Sequence, residues 1–281
     1  MIDFSHPDIV DCVGRALEED IGSGDVTARA CVPEDRMARG RFLAREQQIV
    51  AGTELLPMIY NSRGGVESLQ IEKSSGACAG EGQTLGTVRG RARTLLECER
   101  VALNFLQHLG GIATLARRYA DAVAGTGCRV LDTRKTTPGL RHLEKSAAAA
   151  GGITNHRAGL YDAVLIKNNH IEAAGGVRAA LVRVDRVPEG MKVEIEVRTR
   201  AELEEALACG ARHLLLDNLT PDQAREWITH IAGRASVELS GGITLETARA
   251  YAETGADFLS SGAITHSAPA VDINFRLELL P

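Results

Sequence analysis

The sequence predicts an α/β protein in which an incomplete, irregular α/β barrel follows an N-terminal α+β sandwich domain. Short apolar runs recur after residue 110, amphipathic helices separate the later runs, and a polar residue closes nearly every run. Regular alternation of strands and helices is typical of a parallel sheet with right-handed crossovers. The first 110 residues instead combine short extended segments with glycine-rich turns, which favours an α+β domain.

The N-terminal domain is predicted to cover residues 1–110. Its first helix is expected over residues 7–19, opening near Ser5, because apolar side chains recur there at helical spacing. Extended segments are expected around residues 40–51 and 66–71. These segments carry no evident reactive cluster, so we expect the chemistry in the second domain.

Glycines dominate the end of the N-terminal domain. Five of them, from Gly76 to Gly90, stand among alternating residues and favour hairpins with tight turns. A long helix is then predicted over residues 95–109. We expect it to end at Gly110-Gly111, because glycine commonly terminates helices.

The barrel domain is predicted to cover residues 111–270. Its six expected strands are the apolar runs Val130-Leu131, Val164–Ile166, Val193–Val197, Leu214–Leu216, Val237–Leu239 and Phe258–Leu259. The helices expected between the later strands are residues 200–209, 221–232 and 245–254. Successive late strands are separated by about the length of one β–α unit, which indicates internal repetition.

Polar residues close these strands and bear on how the sheet is arranged. They are Asp132, Lys167, Glu196, Asp217, Ser240 and Ser261. A barrel places all strand ends around one rim, whereas an open doubly wound sheet concentrates chemistry at one switch point. Because nearly every strand ends in a polar residue, we favour a barrel, and six strands make it an incomplete version of the eightfold form.

Composition excludes several classes of function. The 281-residue chain has a formal net charge of -5 and no basic tail, which argues against a nucleic-acid partner. No apolar run has the length of a membrane span, and residues 1–4 lack the parts of a signal peptide. The six cysteines are scattered without a C-x-x-C pair, as in reduced cytosolic proteins. We therefore expect a cytoplasmic protein with neither membrane nor nucleic acid as a partner.

Cationic side chains are concentrated in one short part of this acidic protein. Arg134, Lys135, Arg157 and Lys167 lie close to apolar runs that are predicted to be buried strands. A positive group at the end of a buried strand favours an anionic ligand. The first hypothesis is therefore that the protein binds a multiply charged, phosphorylated small molecule.

Two glycine turns near the end of the chain support a phosphate site. The first is Ser240-Gly241-Gly242 and the second is Ser261-Gly262-Ala263. Glycine lets backbone N–H groups approach phosphate oxygens, and a following helix adds its positive end. Barrels often hold phosphate on the loops after their last two strands, so two consecutive turns favour phosphate binding over simple tight turns.

Other residues have more than one interpretation at this point. Glu196 and Asp217 either neutralise nearby lysines or arginines, or bind sugar hydroxyls or a Mg²⁺ ion. Lys167 is a Schiff-base nucleophile, a simple ion-pair partner or a contact for an anion. His156 is either structural or, next to Arg157, part of the anion site.

Four segments carry a resemblance to a known family. They read ERVALNFL from Glu99, LDTRKTTPGLR from Leu131, NHRAGLYD from Asn155 and IKNNHI from Ile166. In this order they resemble the quinolinate phosphoribosyltransferases, also called nicotinate-nucleotide pyrophosphorylases (carboxylating). The likeness runs from residue 19 to residue 272, nearly the full length, so the resemblance is highly specific.

The resemblance implies an architecture and an activity. The C-terminal tail, residues 271–281, would return to the N-terminal sandwich, and two subunits would form a homodimer. The activity would be that of a pentosyltransferase of the glycosyltransferase class. It would transfer phosphoribose from 5-phosphoribosyl 1-pyrophosphate to quinolinate with decarboxylation, in de novo NAD biosynthesis. Mg²⁺ would accompany the donor, and no organic cofactor is implied.

The resemblance also implies roles for individual residues. The family's quinolinate contacts fall on Arg134, His156, Arg157 and Lys167, with Thr133 and Lys135 in the same pocket and Lys135 near the pyrophosphate. From its position alone, Arg100 is as typical of a surface charge as of a site residue. The resemblance implies that it would reach across from the other subunit. Glu196 and Asp217 match the acids at the ribose hydroxyls and, directly or indirectly, at Mg²⁺. The 5′-phosphate cradle would be Ser240, Gly241, Gly242, Ser261, Gly262 and Ala263. The catalytic roles would fall on Lys135, Lys167, Glu196 and Asp217.

Three departures from the family pattern affect one loop and part of the phosphate cradle. Ile153 stands where a third glycine is usual, Ser146 where an aromatic is common, and Ser261 where an apolar residue is typical.

Two other functions remain as alternatives. One is a barrel lyase or aldolase that uses Lys167 as a Schiff base. The other is a non-catalytic binding relative of the family, found alongside molybdenum uptake.

Overall fold

The computed structural model describes residues 6–281, apart from the side chain of Asp185. The predicted opening of the first helix near Ser5 therefore lies outside the described residues. The chain divides into two compact units: the first runs to Arg117 and includes residues 136–152 and 264–281, and the second comprises residues 118–135 and 153–263. The domain boundary predicted between residues 110 and 111 stays a prediction. Within residues 6–281, no helix has both the length and the apolar character of a membrane span.

The first unit contains antiparallel sheets and several helices. Its strands are β1 (Met37–Ala44), β2 (Gln48–Ile49), β3 (Ser68–Ile71), β4 (Cys78–Ala79), β5 (Thr84–Arg91) and β12 (Ile273–Leu279). Its helices are α1 (Pro7–Ile21), α2 (Val26–Cys31), α3 (Leu56–Asn61), most of α4 (Ala92–Ala122), α5 (Arg141–Ala150) and most of α11 (Ala263–His266). The four-stranded sheet has the order β12-β1-β5-β3, so the last strand of the chain pairs with the first.

The hairpin predicted from the glycines between Gly76 and Gly90 is wrong. β4 pairs with β2, and β5 pairs with β1 and β3, so β4 and β5 belong to different sheets. Gly76 and Gly82 adopt positive φ angles of 91° and 78° and turn the chain between those sheets. Glycine spacing locates turns, but which strands pair depends on burial of their side chains elsewhere in the unit.

Helix α4 passes through the predicted stop at Gly110-Gly111. Gly111 lacks a side chain because the backbone of the C-terminal segment approaches it: a Cβ atom there would overlap the carbonyl oxygen of Pro269. Gly110 similarly faces Val271. These glycines permit close packing of a chain segment against a continuous helix, which is a second use of glycine besides helix termination.

The second unit contains a six-stranded parallel sheet. Its strands are β6 (Arg129–Leu131), β7 (Val164–Ile166), β8 (Val193–Val197), β9 (His213–Asp217), β10 (Ser236–Ser240) and β11 (Phe258–Ser260). Its helices are α6 (Asn168–Ala174), α7 (Val177–Arg183), α8 (Arg200–Ala208), α9 (Pro221–Ile231) and α10 (Leu245–Ala252). The strand order is β6-β11-β10-β9-β8-β7, with Thr154 bridging to Leu131 beside β6. The predicted incomplete α/β barrel and its six strands are confirmed.

Local sequence explains why helices begin directly after the strands. Thr199 precedes α8, and its side chain accepts from the N–H of Glu202 while the Glu202 carboxylate accepts from the Thr199 N–H. Thr220 and Gln223 form the same reciprocal pair before α9. These capping boxes satisfy backbone donors at the helix start. Each helix therefore starts a few residues after a strand ends, on the side where the polar residues lie.

Strand β8 is buried on both faces, as expected for a parallel sheet inside an α/β fold. Ile195 and Val197 are fully buried on one face, and Glu194 and Glu196 are buried on the other. The register pairs Glu196 with Leu215 and Leu215 with Glu238, so Glu238 lies on the same face as the two β8 acids. Three carboxylates therefore lie in the interior of the sheet, where acids are rare unless they are paired.

Replacement of Gly111 by alanine is expected to destabilise the protein by about 1–3 kcal/mol, because the added methyl group overlaps a backbone carbonyl that cannot rotate away. Gly14→Ala is the matched control, because Gly14 lies in α1 and its Cβ would meet nothing within 4 Å. Alanine there should stabilise by up to about 1 kcal/mol through helix propensity. Urea unfolding measures both changes, and equal midpoints for the two variants would contradict the close approach at Gly111.

Candidate active site

The carboxyl ends of the six parallel strands share one edge of the sheet. The register pairs Asp217 with Ser240, Leu131 with Ser260 and Ile166 with Ile195. The residues that follow or end these strands are therefore neighbours along that edge. They include the predicted site residues Thr133, Arg134, Lys135, Lys167, Glu196, Asp217, Ser240 and Ser261.

Asp132 connects two of the predicted motifs. Its carboxylate is fully buried directly after β6. It accepts hydrogen bonds from the side-chain amide of Asn155, at 2.5 Å, and from the backbone N–H of His156, at 2.8 Å. Next to it, the N–H of Lys135 donates to the Thr133 hydroxyl at 3.0 Å. A buried carboxylate thus fixes the start of the Asn-His-Arg motif beside the cationic loop that follows β6.

Arg134 and Arg157 are close enough to influence each other. Burial and the charge of Arg134 lower the pKa of Arg157, while the carboxylates of Asp162 and Glu194 oppose this. Guanidinium groups keep their charge in proteins, so two like charges persist at this position. The Arg157 side chain is also oriented by donation to the carbonyl oxygen of Ala163 at 3.1 Å. Two neighbouring, half-buried guanidinium groups are a suitable arrangement for binding carboxylates.

The His156 ring lies between two buried acids, and we call His156, Glu194 and Glu238 the interior cluster. Its Nε2 atom is 3.3 Å from a carboxylate oxygen of Glu194 and 3.3 Å from one of Glu238. Lys192 also pairs with Glu194, at 3.4 Å. Burial opposes the charge on the ring, but the interactions with Glu194 and Glu238 outweigh burial and raise the pKa of His156 to about 9.

One local contact favours the neutral ring instead. The N–H of Arg157 donates to Nδ1 of His156 at 2.7 Å, which requires an unprotonated Nδ1. Such a hydrogen bond contributes only about 1 kcal/mol net. The Coulomb attraction of a charge pair at this separation is roughly 5 kcal/mol at an effective dielectric constant of 20, before the cost of burying the charges is subtracted. Because there are two carboxylates and one peptide contact, we favour the cationic ring.

Metal binding is less compatible with the interior cluster. Its three candidate ligand atoms lie within 4.8 Å of one another. However, the cationic ring favoured above carries a proton on Nε2, the atom that a metal ion would need. A second such group consists of His6, Asp8 and His142. Its two histidine rings stack on each other with their centroids 4.2 Å apart, whereas two histidines that bind one metal ion usually point their ring nitrogens at it from different directions.

The predicted acids Glu196 and Asp217 are placed at the ends of neighbouring strands. One oxygen of Glu196 accepts from Nε and Nη2 of Arg198, at 3.0 and 2.9 Å. Asp217 accepts from the side-chain amide of Asn218 at 2.6 Å. Carboxylate oxygens at a strand edge fit Mg²⁺, which usually binds one or two carboxylates together with substrate phosphates and water. The two acids therefore suit a Mg²⁺ ion that arrives with a phosphorylated substrate.

Lys167 is the residue before α6 and is exposed. Its backbone N–H donates to Nδ1 of His170 at 2.9 Å, which fixes the start of that helix. The Schiff-base interpretation relied on a buried lysine, and the exposure of Lys167 contradicts that premise. An exposed amine next to Glu196 along the edge is better suited to contact an anion.

The two glycine turns are built differently. Gly241 and Gly242 have positive φ angles of 94° and 63°, and a Cβ atom on Gly241 would overlap Asn218. Ser261 is buried, and its hydroxyl donates to the carbonyl oxygen of Ile243 at 3.0 Å. The unusual serine therefore ties the second turn to the first. Gly262 and Ala263 follow it, with Ala263 at the start of α11.

Arg100 belongs to the first unit. It is exposed on α4 and lines a cavity of about 300 Å³ together with Asp25, Cys31 and Glu99, among others. Burial raises the pKa of the Glu99 carboxyl, while the charge of Arg100 opposes this. The role of Arg100 in a partner subunit's site stays a prediction.

Sequence reasoning missed Glu194, Glu238 and Arg198 and gave Asp132 no role beyond ending a strand. A signal was available, because Glu194 and Glu238 each stand inside an otherwise apolar strand. An acid at such a position needs a partner, which the sequence does not identify. Ile153, in place of a usual glycine, is buried and has no positive φ, so the backbone there does not require glycine.

Comparisons with known proteins show the family of this chain. Residues 25–110 match the N-terminal domain and residues 112–276 the C-terminal domain of quinolinate phosphoribosyl transferase. A Nicotiana tabacum protein named quinolinate phosphoribosyltransferase [decarboxylating] 1b is 40% identical over 98% of this chain and 84% of its own. A nicotinate-nucleotide pyrophosphorylase [carboxylating] of Mycobacterium leprae is 40% identical over 95% of this chain and 96% of its own. The crystal structure of NadC from Streptococcus pyogenes is similar with a TM-score of 0.94, at 37% identity and full coverage of both chains. This chain therefore belongs to the quinolinate phosphoribosyltransferase family.

Proposed function

We propose that this protein transfers phosphoribose from 5-phosphoribosyl 1-pyrophosphate to quinolinate, and releases pyrophosphate, CO₂ and nicotinate mononucleotide. The observation that carries the proposal is that Arg134 follows β6 and that Asp132, the residue before Thr133, holds the start of the Asn-His-Arg motif beside it, so that the charges of Arg134 and Arg157 influence each other at the carboxyl edge of the sheet. Quinolinate carries two carboxylates on a pyridine ring, and guanidinium groups bind carboxylates through two parallel hydrogen bonds. The family of the chain supports the same reaction.

The other predicted residues complete two substrate sites. We propose that His156 and Lys167 add positive charge beside quinolinate, and that Lys135 and Thr133 lie towards the pyrophosphate. Glu196 and Asp217 would hold the ribose hydroxyls. The turns at Ser240–Gly242 and Ser261–Ala263 would cradle the 5′-phosphate with backbone N–H groups, as glycine-rich turns commonly do.

The reaction is a substitution followed by loss of CO₂. The pyridine nitrogen uses its lone pair to form a bond to the anomeric carbon, and the bond from that carbon to pyrophosphate breaks. Holding the two reactants in line supplies much of the rate. Glu196 or Asp217 can stabilise the positive charge that develops on the sugar. The ring nitrogen is then cationic and stabilises the electron pair that remains on the adjacent ring carbon when CO₂ departs, after which that carbon takes up a proton.

We also propose the setting of this reaction. Mg²⁺ bound through Glu196 and Asp217 would neutralise charge on the departing pyrophosphate. A homodimer would place Arg100 of one subunit at the site of the other. The composition and the free cysteines favour a cytoplasmic protein.

The reaction itself is the first test. Purified protein incubated with quinolinate, 5-phosphoribosyl 1-pyrophosphate and Mg²⁺ should release CO₂ and form nicotinate mononucleotide in equal amounts. Nicotinate in place of quinolinate should give no product. Product from nicotinate alone would indicate a non-carboxylating transferase, and covalent trapping of a carbonyl substrate by borohydride would indicate a Schiff-base enzyme.

Replacement of Arg134 by alanine should reduce kcat/KM by an amount equivalent to roughly 3 kcal/mol or more, because it leaves substrate carboxylate charge unpaired. Steady-state kinetics on the folded variant measures this loss. Arg225→Ala is the matched control, because Arg225 is an exposed α9 arginine that pairs with Asp222. Near-normal turnover of Arg134→Ala would contradict the assignment of Arg134.

Loss of the Ser261 hydroxyl should raise KM for the ribose donor more than KM for quinolinate. Ser261→Ala removes the bond to Ile243 that ties the two glycine turns. A loss of about 1 kcal/mol corresponds to about a fivefold rise in KM for the donor. Measured KM values should show this rise with little change in KM for quinolinate. An equal rise for both substrates would indicate a general structural effect instead.

A further inference from the structure

The interior cluster places two acids below the strand edge where an anion is proposed to bind. Glu194 lies two residues before Glu196 in β8, and Glu238 two residues before Ser240 in β10, on the same face of the sheet. Their side chains are only 3% and 1% exposed. Two buried negative charges at this depth would repel a dicarboxylate unless cations neutralise them.

The cations available to these acids are few. Lys192 pairs with Glu194. In the described part of the chain, His156 is the one cationic group within ion-pair distance of Glu238. Asp132 accepts from the backbone N–H of His156, and the N–H of Arg157 donates to Nδ1 of the ring. Charge balance in the interior therefore depends on the state of the His156 ring.

We propose that Glu194 and Glu238 are positioning residues that hold the His156 ring as a cation beneath the Arg134–Arg157 pair, so that the site stays receptive to a dicarboxylate. With Lys192 and a charged ring, two positive groups balance two carboxylates. With a neutral ring, Glu238 keeps no cationic partner within ion-pair distance among the described residues. The identity of that ligand rests on the proposed function, whereas the state of the ring does not.

The geometry makes a specific demand on the ring. A charged ring carries a proton on Nδ1, so the contact with the Arg157 N–H must open by a small rotation of the ring or of that peptide. Rotation of the Arg157 peptide alone would open this contact and leave the Nε2 contacts with both acids in place. This is a local adjustment between adjacent residues, and the buried carboxylates provide the driving force.

The sign of the pH dependence follows from the direction of the shift. The pKa of His156 is raised from its usual 6.5 to about 9, so the cation is present below about pH 9 and is lost above it. Its contribution to folded-state stability is likewise complete below pH 6.5 and disappears as the pH rises through about 9. Affinity for quinolinate should fall over the same upper range, because the interior then becomes more negative.

Nuclear magnetic resonance of protein with isotope-labelled histidine rings tests the charge directly. The His156 signals, assigned with His156→Gln, should titrate near pH 9 in the unaltered protein. In Glu238→Gln, and separately in Glu194→Gln, the midpoint should fall by roughly one to three units, because one opposite charge is removed. Glu226→Gln, at an exposed α9 carboxylate, is the control and should leave it unchanged. A ring that is neutral at pH 7 in the unaltered protein would overturn the proposal.

Calorimetric titration with quinolinate between pH 6 and 10 tests the consequence. The pH at which affinity weakens should follow the His156 midpoint, and should move to lower pH in Glu238→Gln. If the His156 midpoint falls in Glu238→Gln but the pH dependence of quinolinate affinity does not change, the role of the cation in binding is overturned. A ring that titrates near 9 in a protein that binds no quinolinate at any pH would support the charge assignment and contradict the proposed function.

Discussion

The site depends on one constraint: negative charge buried inside a parallel sheet must be neutralised locally. Asp132, Glu194 and Glu238 are all nearly inaccessible to water. Asp132 is satisfied by Asn155 and by the backbone of His156. The ring of the same histidine lies within ion-pair distance of both glutamates, Lys192 pairs with Glu194, and Oε2 of Glu238 accepts no hydrogen bond. His156 therefore receives support from its backbone and its side chain, which positions Arg157 directly after it.

This arrangement explains how an acidic protein can present a cationic site. The net charge of -5 is distributed over the whole chain, whereas a ligand at the strand edge experiences the nearest few groups. There, the guanidinium groups of Arg134 and Arg157 lie close together despite their mutual repulsion. Interior acids reduce that repulsion, since Glu194 opposes the effect of Arg134 on Arg157. Glu194 thus stabilises the charge of Arg157 beside Arg134.

Much of the fold could be predicted because it depends on local periodicity. The six strands of the second unit and the polar residues that end them follow from apolar runs and their spacing. Two predictions failed for a common reason. Gly110-Gly111 and the glycines around β4 were interpreted locally, but their use depends on segments far along the chain, Pro269 for Gly111 and β2 for β4. A glycine indicates either that the backbone needs an unusual conformation or that another segment packs closely against it. The sequence does not say which of the two applies.

The sequence by itself determined the order of the strands along the chain, the clustering of cationic side chains and the family. These are properties of contiguous residues. Only the tertiary structure decided that Glu194 and Glu238, from two different strands, meet at the ring of His156, and that Glu196 pairs with Arg198. The physical reason is that interior contacts depend on strand register and on which face of the sheet a side chain occupies. A shift of one residue in register would reverse every one of those faces.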